Sequence, residues 1–352
     1  MQHKFLLCLF AVVALLMTPA AVNAQENMYV WKADGSVDTF IVSELDSISF
    51  YLPECSSGIG AFSVSATRKV AFSSGNLQYN AASGSHLCAD GTIKQGSWRF
   101  AEHQWDIIGM GFCQTDKSKD CYIGGTVVNG DNRSVDSTYS GWIDLFAWGT
   151  SGWESGAIAY KPFSTSKTYS DYYPGGNYEN HLTGEYANAD WGVYNQIGTD
   201  KPGSWRTMTK DEWVYLLEKR AGARNKYGAA RVNGVPGVVV LPDEWTLPDA
   251  CSFTEGMTNA GSSADWSKVN STNIYTMEQW QLMEKAGAVF LPCAGYRGGT
   301  TVGGVGMLGR YWPSTAAGVK DAYNLLFGSH YIYTGAGYNR NDARSVRLVR
   351  EL

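Results

Sequence analysis

Two stretches of this chain are built to be helices, and they limit the fold more than anything else in it. Thr209-Lys-Asp-Glu212 and Thr276-Met-Glu-Gln279 each set a threonine three residues ahead of a Glu or Gln. That spacing lets the two side chains satisfy each other's free backbone donors at a helix start. Behind the first, Trp213, Leu216 and Leu217 fall at i, i+3 and i+4; behind the second, Trp280 and Met283 share a face and Gly287 supplies a stop. Each helix is followed by an apolar strand ending in Leu-Pro, in VVVLPDEW and in AVFLPCAGYR. The spacings within the two units differ, so they are two similar helix–strand units in one fold and not a duplication. Around them the chain reads as short strands and turns, which gives an α+β class.

Composition agrees. The chain has 40 glycines, 13% aromatic residues and only 17% charged ones, the profile of a loop-rich globular domain rather than a disordered or coiled-coil one. FSVSATRKVAFSSGNLQYN, from Phe62, is expected to give two strands around a turn. WRFAEHQWDIIG follows, and then a long irregular region to about Trp191, dense in Trp, Tyr, Gly and Ser. Buried aromatics are expected to hold that region together.

The first 24 residues carry Lys4, an apolar run from Phe5 to Met17 and Ala-Val-Asn-Ala before Gln25, a secretory signal with a small-residue cleavage site. The mature chain is expected to be exported to the periplasm, the cell surface or the medium, with no transmembrane helix. Residues 25–60 form a separate short β segment and linker, in which Asp34-Gly35 marks a hairpin and a third short strand follows. Residues 61–352 are then long enough for one sizeable core. With 28 basic against 33 acidic side chains and no basic cluster, nucleic acid is not expected as a partner. Six cysteines follow the signal: Cys55, Cys88, Cys113, Cys121, Cys251 and Cys293. In an exported chain they permit disulfides, with Cys113–Cys121 across QTDKSKD as the first candidate. No CxxC pair and no histidine spacing suggests zinc, so no metal or other cofactor is expected.

The last fifth, 295–352, reads as the recognition segment. In Ala322–Gly328 a period of two puts Tyr323, Leu325 and Phe327 on a core face and Asn324, Leu326 and Gly328 on an outer one. Ser345-Val-Arg-Leu-Val-Arg350 is a second strand. Between the two lie tyrosines, asparagines and glycines in the mix that antibody loops use for recognition.

The ordered set WRTMTKDEWVYLL, GVVVLPDEW, GAVFLPCAGYR, GRYW, DAYNLLF and SVRLVR, together with the segment MYVWKADGSVDTFIVSELDSISF, resembles exported proteins of Bacteroidetes. Those proteins have a C-type-lectin-like fold of the formylglycine-generating-enzyme subtype. The resemblance covers nearly the whole chain from Met28 and implies two helices around a small mixed sheet, long irregular loops, and chain ends close together. Relatives with this arrangement include targets of diversity-generating retroelements, whose hypermutated final segment displays a binding surface. Carried over, this implies a framework of Tyr311, Trp312, Ala322, Tyr323, Leu325, Phe327 and SVRLVR. The implied ligand-binding positions are Arg310, Ala316, Lys320, Asp321, Asn324, Leu326, His330, Tyr331, Tyr333, Tyr338 and Asn341. The partner would be a protein or glycan at a surface. A non-diversified carbohydrate-binding or adhesion module, stacking sugars on Tyr331, Tyr333 and Tyr338, is the alternative.

Catalysis is not expected. Formylglycine-generating oxidases use a pair of cysteines in the C-terminal part, whereas the last cysteine here is Cys293. The calcium-dependent sugar-binding tripeptides of C-type lectins are absent as well. Among carboxylates, Glu212 reads as a helix cap, and Asp243 with Glu244 as a turn after a strand; neither these nor Asp211 suggests an acid–base pair. No Gly-x-Ser-x-Gly elbow occurs, and His86, His103, His181 and His330 have no triad partners in sequence.

Overall fold

The computed structural model describes residues 27–31, 37–42, 60–109, 111–112, 120–121, 130–133 and 135–352. The signal peptide, the Asp34-Gly35 turn, the third N-terminal strand, Cys55, and Cys113 with its loop lie outside the described residues. The chain divides into two compact units, Met1–Cys55 and Ser56–Leu352. In the first, β1 (Asn27–Trp31) and β2 (Val37–Ile41) pair antiparallel, with Trp31 opposite Val37.

The second unit is mixed α+β, rich in short sheets and poor in helix. It opens with β3 (Phe62–Ser63) and β4 (Lys69–Phe72), followed by the long hairpin β5 (Leu77–Leu87) and β6 (Ile93–Phe100). A small pair, β7 (Gly111–Phe112) and β8 (Asp120–Cys121), precedes the irregular region, which ends in the single turn α1 (Trp191–Tyr194). After β9 (Arg206–Thr207) comes α2 (Lys210–Val214), which continues into a wider π-helical turn, Tyr215–Lys219. Then come β10 (Tyr227–Val232), β11 (Val235–Val240), β12 (Ile274–Tyr275), α3 (Met277–Lys285) and β13 (Val289–Pro292). The last fifth holds β14 (Tyr296–Gly298), β15 (Thr301–Gly303), β16 (Gly309–Tyr311), β17 (Asp321–Gly328), β18 (Tyr331–Asn339), β19 (Asp342–Ala343) and β20 (Leu348–Glu351).

Both capping boxes form. The Glu212 amide donates to Thr209 Oγ1 at 3.2 Å and the Thr209 amide to Glu212 Oε2 at 2.8 Å. The Gln279 amide donates to Thr276 Oγ1 at 3.3 Å and the Thr276 amide to Gln279 Oε1 at 3.0 Å. The two helices pack on opposite faces of the sheet ordered β12-β10-β11-β13, in which only β10 and β12 run parallel. Alternation along β11 explains this. Val238 and Val240 join Trp213, Leu216 and Leu217 in one core cluster, while Val239 joins Trp280, Met283 and Phe290 in another.

The irregular middle packs on a third cluster, in which Trp98, Phe146, Trp148, Trp191 and Trp312 are buried. Loops of this length leave backbone carbonyls without ladder partners, and buried arginines supply the donors. Arg340 donates to Asp321 O and Gly318 O, both at 3.0 Å, and also to Tyr178 O. Arg297 donates to Gly299 O at 2.6 Å and reaches Leu145 O at 3.3 Å.

The C-terminal strand closes the unit. β20 lies between β4 and β9, with Val349 opposite Phe72 on one side and Arg206 on the other. The start and end of the 56–352 unit therefore meet in one sheet. Both faces of SVRLVR are buried: Val346 and Leu348 enter the tryptophan-rich cluster, while Val349 enters the α2 cluster. Arg347, on the Val349 side by alternation, is also buried and donates to Gln104 Oε1 at 2.9 Å.

Candidate ligand-binding face

Strands β16, β17 and β18 form an antiparallel sheet with Arg310 opposite Leu326 and Leu326 opposite Tyr333. Gly309 is required there, because a Cβ would lie 1.9 Å from the Phe327 ring. The pairing of β17 with β18 shifts between Asn324 and Leu326, a β-bulge. The extra residue lies on β18, where Tyr333 to Ala336 takes three steps against two on β17, so β17 keeps its alternation. Leu325 and Phe327 accordingly share the α2 cluster, as the period of two expects, but the opposite face of β17 is covered rather than exposed.

Asn324 is fully buried, not displayed. Its Nδ2 donates to Ala336 O at 2.7 Å and its Oδ1 accepts from Arg344 Nη1 at 2.9 Å. Leu326 is buried too. Two residues on, a Cβ at Gly328 would meet Ser263 at 2.6 Å, and Ser329 donates to Ser263 O at 2.9 Å, so the 258–263 loop lies against this end of the strand. Ala316 is buried as well, its amide donating to His181 Nδ1 at 3.1 Å. These three positions are corrected from display surface to interior. Of the framework set, Tyr311, Trp312, Ala322, Leu325 and Phe327 are buried, while Tyr323 is half-buried, with the Lys210 ammonium 5.6 Å from its ring centre.

The other eight positions are at least partly accessible and fall into two groups. In the first, Tyr331 and Tyr333 stack at 5.0 Å with rings 21° apart, as i and i+2 on one face of β18. His330 sets its edge on Tyr331 at 5.1 Å, and Tyr333 is 56% exposed. The Arg310 guanidinium lies 4.5 Å from the Tyr296 ring centre and 4.8 Å from that of Tyr338. It makes no hydrogen bond or ion pair with a described residue, and its Nε is buried without one. Burial raises the Tyr331 hydroxyl above its ordinary pKa, against a Ser263 hydrogen bond and the Arg310 charge.

Beneath this group Arg344 stacks 4.6 Å from Trp312 and 4.8 Å from Tyr338, and pairs with Asp342 at 3.3 Å. Burial, followed by repulsion from Arg310, draws its pKa down to about 9, so it stays charged at neutral pH. Asp342 moves the other way: burial raises it, opposed by Arg344 and Arg310.

The second group lies at the start of β17. Exposed Lys320 is 5.6 Å from the Tyr169 ring centre, and Tyr169, Tyr173 and Tyr178 form a chain of ring contacts at 6.3 Å each. Arg340 lies 5.2 Å from the Tyr173 ring centre. Half-buried Asp321 lends its backbone oxygen to Arg340, and Asn341 sits half-buried in the turn between β18 and β19. The tyrosines of YSDYYPGGNY and Tyr296 are additions that sequence reading missed. Tyrosine density was the only signal for them, and it does not separate Tyr172, which is buried, from Tyr173, which is not.

Two of the carboxylates considered for chemistry, Glu212 and Asp243, hold structure together. Glu212 completes its cap and takes a bidentate contact from Arg206 at 2.7 and 2.8 Å. Asp243 accepts from the Ser63 amide and hydroxyl and from Arg220, and pairs with Lys69 at 3.2 Å. Asp211 is 88% exposed and contacts Lys210 at 3.3 Å. His103 stacks on Trp105 and pairs with Asp106 at 3.2 Å. Cys88, Cys251 and Cys293 are free thiols. No group of three or more His, Cys, Asp or Glu suited to a metal ion occurs among the described residues, and no helix among them is long and apolar enough to cross a membrane. Comparison of the chain with protein-family models, with curated proteins and with solved structures gives no match.

Proposed function

We propose that the chain is an exported, non-enzymatic binding protein with a C-type-lectin-like fold of the formylglycine-generating-enzyme subtype, and that it recognises a protein or glycan through its C-terminal face. The observation that carries this is Arg310, whose guanidinium lies near the Tyr296 and Tyr338 rings without a hydrogen-bonded or ionic partner among the described residues, beside the stacked pair Tyr331–Tyr333. Aromatic rings and arginine are the residue types that dominate binding energy in recognition surfaces. The fold reading is supported by two capped helices on opposite faces of one mixed sheet and by the C-terminal strand β20 lying beside β4.

The face is narrower than the full set of eleven positions. Arg310, His330, Tyr331, Tyr333 and Tyr338 form one patch, and Lys320, Asp321 and Asn341 a second beside Tyr169 and Tyr173. Diversification of the segment would be tolerated at the exposed members and not at Asn324, Leu326 or Ala316. The second reading, a glycan platform, is favoured by the Tyr331–Tyr333 stack, which offers ring faces to a sugar.

The test replaces Arg310, Tyr331 and Tyr333 together with serine and screens the variant on glycan and surface-protein arrays beside the parent. An unchanged melt with lost binding supports the face. A parent that binds no ligand, or binding that survives the triple change, sinks it. Retained binding in Tyr331→Phe and Tyr333→Phe but loss in the two serine variants separates ring stacking from hydrogen bonding.

A further inference from the structure

Strands β5 and β6 carry a second feature, on neither patch of the C-terminal face. Their register shifts between Asn80 and Ser85, and the hairpin opens an accessible groove of about 290 Å³ against the segment around Tyr160–Phe163. Its walls are aromatic: Tyr79 and Trp98, 4.5 Å apart, on one side and Tyr160 and Phe163 on the other. Gly96 is needed for that wall, because a Cβ there would lie 2.4 Å from the Tyr79 hydroxyl and the backbone φ is +101°.

The charged groups lining the groove are of one sign. Lys94 and Lys161 line it and no carboxylate does, in a chain whose net charge is −5. Lys94 spends one N–H on Gly152 O at 2.7 Å. The Lys161 ammonium rests 5.8 Å from the Tyr160 ring centre and makes no hydrogen bond or ion pair with a described residue. Of the acids nearby, Glu154 accepts from the Tyr160 hydroxyl at 3.3 Å, and Asp90 accepts from Tyr194 at 2.8 Å while also feeling the Lys94 charge from outside the lining. The Trp98 indole N–H, 3% exposed as a residue, is buried with no acceptor among the described residues. Gln95, Ser137 and Ser151 add neutral hydrogen-bonding groups.

We propose that this groove binds a small acidic sugar of hexuronic type. A pyranose ring presents C–H faces to aromatic walls and hydroxyls to neutral polar groups, and a carboxylate answers two lysines that no lining acid neutralises. The volume is at the small end for ligand sites and suits one sugar ring rather than a chain of them. The site does not depend on the C-terminal face being a binding surface.

The test titrates the full chain with D-glucuronate, D-glucose and benzoate up to about 10 mM, following tryptophan fluorescence and heat of binding. Lys161→Gln and Tyr160→Ala are the site variants, with Arg310→Ser as the control at the other face. Glucuronate is expected to bind, glucose about tenfold more weakly, and Lys161→Gln to weaken glucuronate by about three- to tenfold. Benzoate, which has charge and ring but no hydroxyls, is expected to bind less well than glucuronate. No glucuronate binding overturns the proposal, as does equal binding of glucose or benzoate. Binding that ignores both groove variants but is lost in Arg310→Ser overturns it too, by moving the ligand to the other face.

Discussion

Asn324 shows at the residue scale how a side chain expected on the surface becomes part of the interior. It is flanked by its own strand partner, through Ala336 O, and by Arg344, whose guanidinium is fully buried between Trp312 and Tyr338. Removing it takes one acceptor from a buried cation that keeps only Asp342 at 3.3 Å among the described residues, and a hydrogen bond lost by a buried charged group costs more than an ordinary one. Asn324→Ala is therefore expected to lower stability by about 2–4 kcal/mol, read from chemical denaturation. Tyr333→Ser, on an exposed ring, is expected to stay within about 0.5 kcal/mol of the parent. Equal melts for the two variants would mean that Asn324 does not anchor Arg344. Nothing in the residues Ala322–Gly328 announces that their outer face is covered, since alternation tells which side chains share a face and not what packs on it. Arg344 was equally hidden: an arginine in sequence reads as surface, and only the surrounding rings and carbonyls make it core.

Elements were more legible than sites. The two capping boxes and the apolar stripes behind them are local chemistry, so the helices, their buried faces and the Leu-Pro strands stand where sequence places them. What joins elements was less visible. Asp243, the turn residue after β11, binds Ser63 in β3, Lys69 in β4 and Arg220 at the end of the α2 segment. Burial alone would raise its pKa, but the Ser63 hydrogen bonds, Arg220 and Lys69 outweigh that and hold it at about 2, below the ordinary 3.8. The folded state thus releases this proton more readily than the unfolded state does. The stabilisation is complete above about pH 4 and is lost as the pH falls through 2. Asp243→Asn is expected to cost about 1–3 kcal/mol at pH 7, and the gap to the parent should close between pH 4 and pH 2. A gap that stays constant over that range would show that the carboxylate charge is not what ties the three elements.

At the scale of the whole molecule, β20 decides whether the 56–352 unit is one cooperative body. It is an inner strand of the sheet β3-β4-β20-β9, and its neighbours come from opposite parts of the unit. Its first two side chains go to different cores: Leu348 packs in the cluster with Trp191 and Trp205, Val349 in the cluster with Trp213 and Leu325. Deleting Leu348–Leu352 removes both side chains and two ladders at once. Losses of about 2–5 kcal/mol for each large buried aliphatic side chain compare with a total stability of about 5–15 kcal/mol for a domain. The truncated chain is expected to lose its near-ultraviolet circular dichroism, which reports the packing of the buried tryptophans. Val349→Ala, a graded version of the same change, is expected to keep that signal and lower the melt in a single transition. Two separate transitions in Val349→Ala, or a native signal in the truncated chain, would mean that the tryptophan-rich cluster and the α2 cluster fold independently. In that case the C-terminal face would be carried by a scaffold that does not need its last strand. The burial of both faces of SVRLVR argues for the cooperative outcome, because a strand shared by two cores transmits the loss of either to the other.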